Sequence, residues 1–544
     1  MTDRLLTNVS AARGGISILN DVLGPVMRGP SSSHTAASYR IARLAVALFD
    51  AQPASVRVIF DPAGSYGQVY RQQGVDLGFA MGLLGLPLTD ATFFQALDVV
   101  SSRGIDLEFD VRPLEYPDHP NTADIQLQAA DGKTLAVRAR SIGGGSVELT
   151  RIDGWPVLVT GQTHELLVEL ASAAEPRVRT LIAADGALTG EPALQMHDGQ
   201  ALLHAKRRSA LARETRAALM ALDGVARVRE APPVAFVKQG PPLFQSAAEM
   251  VALAEARGCS LGRLALAHET ALLGVSEQEA FAEMARRVDL MCASVLAGLS
   301  NQVPEMQLLT PTASRIFRAE AAGKLAVGGL HARAAARALA VMHINSGMGV
   351  VCAAPTGGSA GVVPAVLATL MEERGLDREG ATLAALAAGA IGVIVGTRAT
   401  FAAEIAGCQV EIGAAGAMAA AAVVEAARGS PRQAADAAAI SFQNTMGSVC
   451  DLVQGMVEIP CHTRNAVAAS SAFVCADLVM GGYLNLIPLD ETIDAVLSVG
   501  KMLPPELRVT SRGGLAVTPS ALKLQRRRQH SSPESDDSQP QGSK

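Results

Sequence analysis

The sequence has 544 residues, of which 49% are hydrophobic but only 3% aromatic, with 46 basic and 52 acidic side chains. This length favours two to four domains over one small domain, and the apolar fraction excludes a disordered chain. A formal net charge of −6 argues against a nucleic-acid-binding protein, which presents a basic face and often stacking aromatic side chains.

The first region, residues 1–162, is predicted to be an α+β domain. Alternation of apolar and polar residues predicts strands over 55–60, 123–130, 134–142 and 146–152. An amphipathic pattern predicts a helix over 35–49. The sequence begins without the apolar core that a signal peptide needs, so we expect a cytoplasmic protein.

Three polar or glycine-rich segments of this region are candidates for a binding site. GPSSSHT (29–35) precedes the predicted helix, whose free N–H groups can hold an anion beside His34. DHPNT (118–122) offers a base and an amide, and the glycines of SIGGG (141–145) permit close approach of a ligand. Taken alone, each also fits a helix cap or an ordinary turn.

The rest of the chain divides into a small module, a helical half and a tail. Strand- and helix-like patterns predict a compact α+β module over 163–238, followed by a Pro/Gly linker at 238–244. Residues 247–522 are Ala-rich and predicted to be mostly helical. Within them, the uncharged stretch 380–397 is interpreted as a buried helix of a soluble domain rather than a membrane span. The polar tail, 523–544, is predicted to be disordered.

Cysteine placement gives the strongest chemical signal in the helical half. The seven cysteines all follow residue 250, and an odd number predicts reduced thiols rather than a disulfide framework. Cys408, Cys450 and Cys461 are spaced C-x41-C-x10-C, without the close pair of a structural zinc site or the compact ferredoxin spacing. Three soft ligands without a fourth could leave one iron of a cubane cluster open, but buried free thiols would give the same pattern.

Two further segments of this half are rich in glycine or polar residues. The glycine-rich stretch 345–364 suggests that another group approaches its backbone closely. In RNAVAAS (464–470), Arg464 is a candidate for clamping a substrate carboxylate, because its planar fork matches that anion. A surface or ion-paired arginine is the alternative.

Taken together, these segments resemble the iron–sulfur-dependent L-serine dehydratases, also called L-serine ammonia-lyases. GPVMRGPSSSHTAASYRIARLA, HPNT and SIGGGSVEL are similar to the beta domain of that family, and APTGGSAGVVPAVL, GCQVEIG, CDLVQGMVEIPC-x2-RNA and TSRGGLA to its alpha domain. The resemblance covers about 1–162 and 247–517. Residues 163–238 are similar to the ACT-like module of some members. APTGG replaces the family's APTNG or APTAG, CDLVQG replaces CDPVAG, and no cysteine follows Cys475.

The resemblance implies a multidomain fold: an α+β beta-like domain, an ACT-like module and a helical catalytic domain. It implies a [4Fe–4S] cluster on Cys408, Cys450 and Cys461, with Cys352 outside it. It places Ser31, Ser33, His34, His119 and Asn121 at the substrate site, with His34 favoured over His119 as the base. Thr35, Ser141, Arg464 and Asn465 belong to the same motifs and are further candidates for binding substrate.

The implied reaction is elimination of water from L-serine to give pyruvate and ammonia, a step of amino-acid degradation that can feed gluconeogenesis. A PLP enzyme is disfavoured because no lysine has a convincing PLP-binding context. A related lyase acting on L-cysteine or L-threonine, and a non-catalytic cluster or amino-acid sensor, remain open. The resemblance also implies a homodimer, and we expect no interaction with nucleic acid or membrane.

Overall fold

The computed structural model describes residues 15–300 and 303–527. The expected disordered tail lies outside the described residues from 528 onward. Its first residues, 524–527, lie against the helical half, where Arg526 donates to Gln454 and Arg527 to Thr310.

A six-stranded sheet, in the order β3-β2-β4-β5-β6-β7, forms the centre of the N-terminal region. Strands β2 and β3 are parallel and the other neighbours antiparallel. The four predicted strands are found within about two residues of their expected ends. The twelve strands are β1 Val26–Arg28, β2 Ser55–Phe60, β3 Asp106–Val111, β4 Thr122–Gln128, β5 Thr134–Gly143, β6 Ser146–Ile152, β7 Trp155–Val159, β8 His164–Ala171, β9 Ala193–His197, β10 Gln200–Arg207, β11 Val225–Ala231 and β12 Val350–Cys352.

Helices cover one face of this sheet and close a core that contains most of the protein's few buried aromatic side chains. The helices of the region are α1 Ala37–Phe49, α2 Ser65–Val69, α3 Val75–Leu84 and α4 Ala96–Ser102. Phe60 of β2 packs against Tyr66 of α2 and Phe79 of α3, with ring centroids 5.5 and 6.3 Å apart. The alternating apolar residues of the strands supply the opposite side of this core.

Residues 164–231 form a separate β-α-β-β-α-β unit with a four-stranded antiparallel sheet in the order β11-β8-β10-β9. Its two helices, α5 Glu175–Asp185 and α6 Arg213–Ala221, pack with the sheet around a small core of their own. Strand order and connection match the split β-α-β arrangement. The predicted compact α+β organisation of this segment is therefore present.

The C-terminal half is helical, as predicted, with β12 as its one described strand. Its helices are α7 Ala247–Arg257, α8 Leu261–Leu273, α9 Glu277–Leu299, α10 Ala313–Ala321, α11 Leu330–Ser346, α12 Val362–Arg374, α13 Arg378–Arg398, α14 Ala403–Ala406, α15 Ile412–Ala426, α16 Pro431–Thr445, α17 Cys461–Met480, α18 Leu489–Met502 and α19 Pro519–Lys523. Alanine and glycine dominate the faces where α13, α15 and α16 meet, so the backbones approach closely.

Two segments of this half are long and apolar enough to cross a membrane. They are Arg378–Arg398, whose most apolar window is 78% buried, and Cys408–Ala426, for which the figure is 89%. Burial to this degree is what the central helices of a large helical domain show.

A two-stranded sheet joins the two halves. Strand β1 pairs antiparallel with β12, bringing Val26 opposite Cys352 and Arg28 opposite Val350. The loops that follow these strands are GPSSSHT and APTGG, and they leave an antiparallel pair from opposite ends. They nevertheless meet, because the backbone N–H of Gly357 donates to Oγ of Ser32 although more than 300 residues separate them in the chain.

Candidate active site

The GPSSSHT loop holds a buried histidine between three hydroxyl groups. The segment Ser32–Ala36 forms a helical turn that continues into α1, and all five residues are buried. Nδ1 of His34 lies 2.9 Å from Oγ of Ser31 and 3.2 Å from Oγ of Ser33, while Nε2 lies 3.0 Å from Oγ of Ser65. Hydroxyls can donate or accept, so this setting accommodates either neutral tautomer of the ring.

Burial makes His34 a neutral imidazole at physiological pH. Desolvation lowers its pKa from 6.5 to about 4, although the nearby carboxylate of Glu404 raises it in part. A histidine with an ordinary pKa would be partly protonated near neutrality. His34 is therefore in the form that can accept a proton.

Glu404, from helix α14, is the charged group that faces this histidine. Its Oε1 accepts hydrogen bonds from Oγ of Ser33 at 3.0 Å and from Nδ2 of Asn121 at 3.1 Å. Burial works to raise the pKa of Glu404, but the attraction of His34 in its protonated form and hydrogen bonds from the backbone and Asn121 outweigh it and hold the pKa below its ordinary value. Glu404 is thus an ionised carboxylate in a buried site, and our sequence analysis did not identify it.

Three polar atoms beside this group have no hydrogen-bond partner among the residues that the structure describes. They are Nε2 of His119, Oδ1 of Asn121 and Oγ of Ser141. Buried polar atoms are normally paired, so a cluster of unpaired ones marks a place where a ligand or water supplies the partner. All three residues come from the segments that the sequence analysis singled out.

The three cysteines of the C-x41-C-x10-C pattern lie on the other side of the site. Cys408 lies in the turn Cys408–Val410 before α15, Cys450 in a loop, and Cys461 at the first residue of α17. All three are free and buried. The Sγ atoms of Cys408 and Cys450 and a carboxylate oxygen of Glu411 all lie within 4.8 Å of one another. Two thiols and one carboxylate thus form a close donor set that suits iron or another thiophilic metal, and Cys461 lines the same pocket as Cys450 and Glu411.

The ionisation of these thiols is interdependent. A hydrogen bond with Cys450 lowers the pKa of Cys408, and Arg464 assists. The same hydrogen bond raises the pKa of Cys450 well above its ordinary value, and burial does so for Cys461. A thiolate at Cys408 thus opposes ionisation of its neighbours, and a bound cation would be needed for all three to be thiolates together.

The carboxyl group of Glu411 is also affected by its surroundings. Burial and the negative charges of Cys408 and Glu404 raise its pKa well above its ordinary value. Glu411 is the second acidic residue that our sequence analysis did not identify. A signal was present, because Glu404 and Glu411 flank Cys408 at intervals of four and three residues.

Two other buried cysteines lie outside this group. Burial raises the pKa of both Cys352 and Cys475 to about 11, so each is a protonated thiol near neutrality. Cys352 Sγ lies 3.7 Å from the carbonyl oxygen of Leu23, and Cys352 does not belong to the close donor group of Cys408, Glu411 and Cys450.

Arg464 lies beside the cysteines. Its guanidinium donates to the carbonyl oxygen of Val449 at 2.7 Å and to Asp451 at 3.0 Å, and Nη1 lies 3.7 Å from Sγ of Cys408. These contacts orient Arg464 toward the sulfur atoms.

Two further candidates make hydrogen bonds within the protein. The Asn465 amide donates to the carbonyls of Gly358 and Cys461 and accepts from the backbone N–H of Gly361. The Thr35 hydroxyl donates to the carbonyl of Gln73 at 2.7 Å. Both side chains thus brace the loops around the site.

The APTGG segment is where the halves touch. A Cβ atom on Gly357 would lie 2.8 Å from the carbonyl oxygen of Pro30 and 2.9 Å from the backbone nitrogen of Ser32. Ser32 Oγ accepts from the Gly357 N–H at 3.2 Å. The group that approaches this glycine-rich backbone is therefore the GPSSSHT loop.

One small pocket contains both sets of residues. It brings the buried histidine and its hydroxyl partners into the same space as two of the three cysteines, and its lining includes Ser31, Ser33, His34, Gly358, Glu404, Glu411, Cys450 and Cys461. A proton acceptor, an ionised carboxylate and a thiol-rich group that could hold a metal thus face one another. This combination can remove a proton from one atom of a small molecule while a metal assists departure of a group from the next.

Sequence comparison identifies a protein family and several known proteins to which this chain is similar. Residues 207–516 match the family described as serine dehydratase alpha chain. The chain is similar to the probable L-serine dehydratase alpha chain of Bacillus subtilis, at 36% identity over 285 residues, covering 52% of this chain and 95% of that protein. The L-serine dehydratase alpha chain of Peptoniphilus asaccharolyticus is 36% identical over 285 residues, 98% of its length. The probable beta chain of Bacillus subtilis is 39% identical over 148 residues, 27% of this chain and 66% of that protein.

Proposed function

Because this chain belongs to the serine dehydratase alpha chain family and carries a region similar to the beta chain, we propose that it is an L-serine ammonia-lyase. It eliminates water from L-serine, and the aminoacrylate released gives pyruvate and ammonia. The observation that supports this most strongly is the shared pocket, in which His34 and Glu404 face Cys450 and Cys461. Elimination requires such a pairing, because the α C–H is a poor acid and hydroxide a poor leaving group.

We propose that Cys408, Cys450 and Cys461 hold a [4Fe–4S] cluster through three of its irons. The donor set fits, since all three thiols are buried and free and a cluster needs thiolate ligands. When bound, a cluster with one open iron supplies Lewis acidity that helps hydroxide to leave. The positive charge of Arg464, 3.7 Å from Cys408 Sγ, favours the thiolate form of that ligand.

The proton chemistry falls to His34 in this proposal. The neutral imidazole accepts the α-proton of serine, becoming an imidazolium that the adjacent Glu404 carboxylate stabilises. Ser65 and the two loop hydroxyls keep the ring in place. His119 is a weaker candidate for the base because its Nδ1 already accepts from the backbone N–H of Asn121.

The unpaired polar atoms are proposed to bind the substrate. Asn121 Oδ1 is an acceptor suited to the ammonium group of serine, and the Ser141 hydroxyl and His119 Nε2 are suited to its carboxylate. Ser31 and Ser33 lie in the pocket and orient the substrate beside His34. In this arrangement Thr35 and Asn465 act by fixing the loops and do not contact the substrate.

An exposed apolar surface supports a homodimer. Val467, Val474 and Leu478 form a stripe along α17 with exposed fractions of 67%, 47% and 44%. The next loop adds Leu484 and Leu486, exposed by 78% and 84%. Clusters of exposed apolar side chains are typical of interaction sites. We propose that two copies of the chain cover it together.

The remaining assignments follow from the same proposal. We propose that 163–238 is an ACT-like module, which its β-α-β-β-α-β order supports. The free cysteines support a reducing, cytoplasmic setting, and the reaction belongs to amino-acid degradation that can feed gluconeogenesis.

A substrate comparison tests the proposed activity. Anaerobically prepared enzyme is given L-serine, L-threonine or L-cysteine in turn, and the oxo acid and ammonia are measured. We expect the highest kcat/KM with L-serine and equal amounts of pyruvate and ammonia. Sulfide release from L-cysteine at a higher kcat/KM would contradict the substrate assignment. Absence of ammonia from all three would contradict the enzymatic role and favour a cluster or amino-acid sensor.

A further inference from the structure

A second, much larger cavity lies where the N-terminal region, the 164–231 unit and the helical half meet. Its volume is about 750 Å³, within the range of sites for small organic ligands. Strands β5 and β6 form one wall, β10 and its following loop another, and the residues around Thr400 and Phe401 a third. Its lining includes none of the residues that line the pocket around His34.

The charges on the cavity walls are unbalanced. Two cationic side chains are already paired: Lys238 contacts Asp21 at 3.1 Å and Arg140 contacts Glu148 at 2.7 Å. Two others, Lys206 and Arg208, make no side-chain ion pair or hydrogen bond within residues 15–300 and 303–527. The cavity therefore carries two uncompensated positive charges.

The acidic residue that lies opposite Lys206 in the sheet already has hydrogen-bond partners of its own. Glu165 lies opposite Lys206 in the β8–β10 pairing. Its carboxylate accepts from the Thr163 hydroxyl at 2.8 Å and lies 2.7 Å from Nε2 of His204. The cationic ends of Lys206 and Arg208 are left for another anion.

The two cations also indicate the kind of anion. Lys206 lies in strand β10 and Arg208 follows the end of that strand, and both residues line the same cavity. Two positive charges on one wall suit a ligand that carries two negative charges, and the arginine fork suits a carboxylate or phosphate.

The walls also connect the cavity to the active site. Phe401 lies three residues before Glu404, and Arg140 and Ile142 flank Ser141. Gly143 packs so tightly on the 400–404 segment that a Cβ atom there would lie 2.9 Å from the backbone nitrogen of Ala402. Movement of either wall would therefore displace Glu404 or Ser141.

We propose that this cavity binds a small dianion, a dicarboxylate or a phosphorylated metabolite, through Lys206 and Arg208, and that its occupancy alters serine turnover. The binding site is independent of the proposed reaction, and the effect on turnover rests on it. In this proposal, an anion bound to the 164–231 unit changes the position of the other two walls of the cavity, and through them the active site.

Anaerobic titration calorimetry of the holoenzyme with glutarate and with inorganic phosphate tests the site, with 1,5-pentanediol as the uncharged control. We expect saturable binding of at least one anion, none of the diol, and at least tenfold weaker binding in the K206A/R208A variant. The matched control is R213A/K324A, which removes one arginine and one lysine from exposed positions outside the cavity and should bind as wild type does. Circular dichroism and Tm verify that each variant is folded.

The two anions distinguish between the two candidate ligand classes, a dicarboxylate and a phosphorylated metabolite. Binding of glutarate identifies a dicarboxylate ligand, and binding of phosphate alone identifies a phosphorylated one. Failure of both to bind saturably, or equal affinity in K206A/R208A and wild type, would overturn the site. The bound anion should also change the KM or kcat for serine at least twofold, and an unchanged pair of constants would overturn the regulatory role. Calorimetry requires no turnover, so its failure is distinguishable from failure of the proposed activity.

Discussion

Replacing Glu404 with glutamine tests the role of the carboxylate that faces His34. Glutamine keeps the size and an acceptor oxygen but removes the negative charge. In the resting enzyme His34 is neutral, so the carboxylate acts most strongly when the ring has taken up a proton. Glu404→Gln should therefore reduce turnover more than it reduces folding stability.

The expected magnitude follows from the attraction between the Glu404 carboxylate and a protonated His34. Burial lowers the pKa of His34, and Glu404 raises it in part; Oγ of Ser33 lies between the two groups, 3.0 Å from Oε1 of Glu404 and 3.2 Å from Nδ1 of His34. A nearby opposite charge favours the charged form of a group by about 1–3 pKa units, or about 1.4–4 kcal/mol. Because this attraction grows as the proton reaches the ring, kcat/KM should fall about 10- to 1,000-fold.

The assay is anaerobic pyruvate formation from serine, with iron content and Tm measured on the same preparations. Glu425→Gln is the matched control, because that partly buried carboxylate accepts from Ser260 near the opposite end of α15. The control should retain wild-type kcat/KM. If Glu404→Gln keeps its iron and stays within about threefold of wild-type kcat/KM, the reasoning about Glu404 is wrong.

Three further predictions concern the base and the cysteines. His34→Ala should lower kcat by about 10²-fold or more if His34 removes the α-proton, while replacement of the exposed His197 should not; near-normal kcat in His34→Ala would exclude that role. Because burial lowers the pKa of His34 to about 4, kcat/KM should lose activity only as pH falls toward that value and the base becomes protonated. An acid limb with an apparent pKa near 6.5 would contradict this burial. Cys408→Ser should lose the visible absorbance of a cluster, whereas Cys352→Ser should keep it, since Cys352 lies outside the three-cysteine group; the reverse result would refute the ligand assignment.

Local sequence patterns predicted most of the architecture. Alternation identified β2, β4, β5 and β6, because one face of each strand packs on the core and the other does not. Strand β3 and helix α5 were not predicted, since both are short and their apolar residues are interrupted by charges. The helical half was predicted from composition, and the burial of α13 agrees with its interpretation as a core helix.

The site was only partly predictable, for a physical reason. The histidine and cysteine segments could be identified because their residue types are chemically distinctive. The position of Glu404 four residues before Cys408 was a signal, but its pairing with Ser33 was not predictable, because Ser33 is 371 residues away and only the fold brings them together. The contact of Arg464 with the cysteines was easier to predict. Arg464 follows Cys461 by three residues on α17, which places both residues on one side of the helix.

The central claim is that one pocket combines a cysteine-bound cluster with a histidine base to deaminate serine. The most direct test quantifies iron, sulfide and serine-dependent pyruvate formation on a single anaerobic sample of the full chain. The account predicts about four iron and four sulfide per chain, with pyruvate formation that is lost together with the iron on exposure to air. A preparation free of iron and sulfide that still forms pyruvate from serine would contradict it.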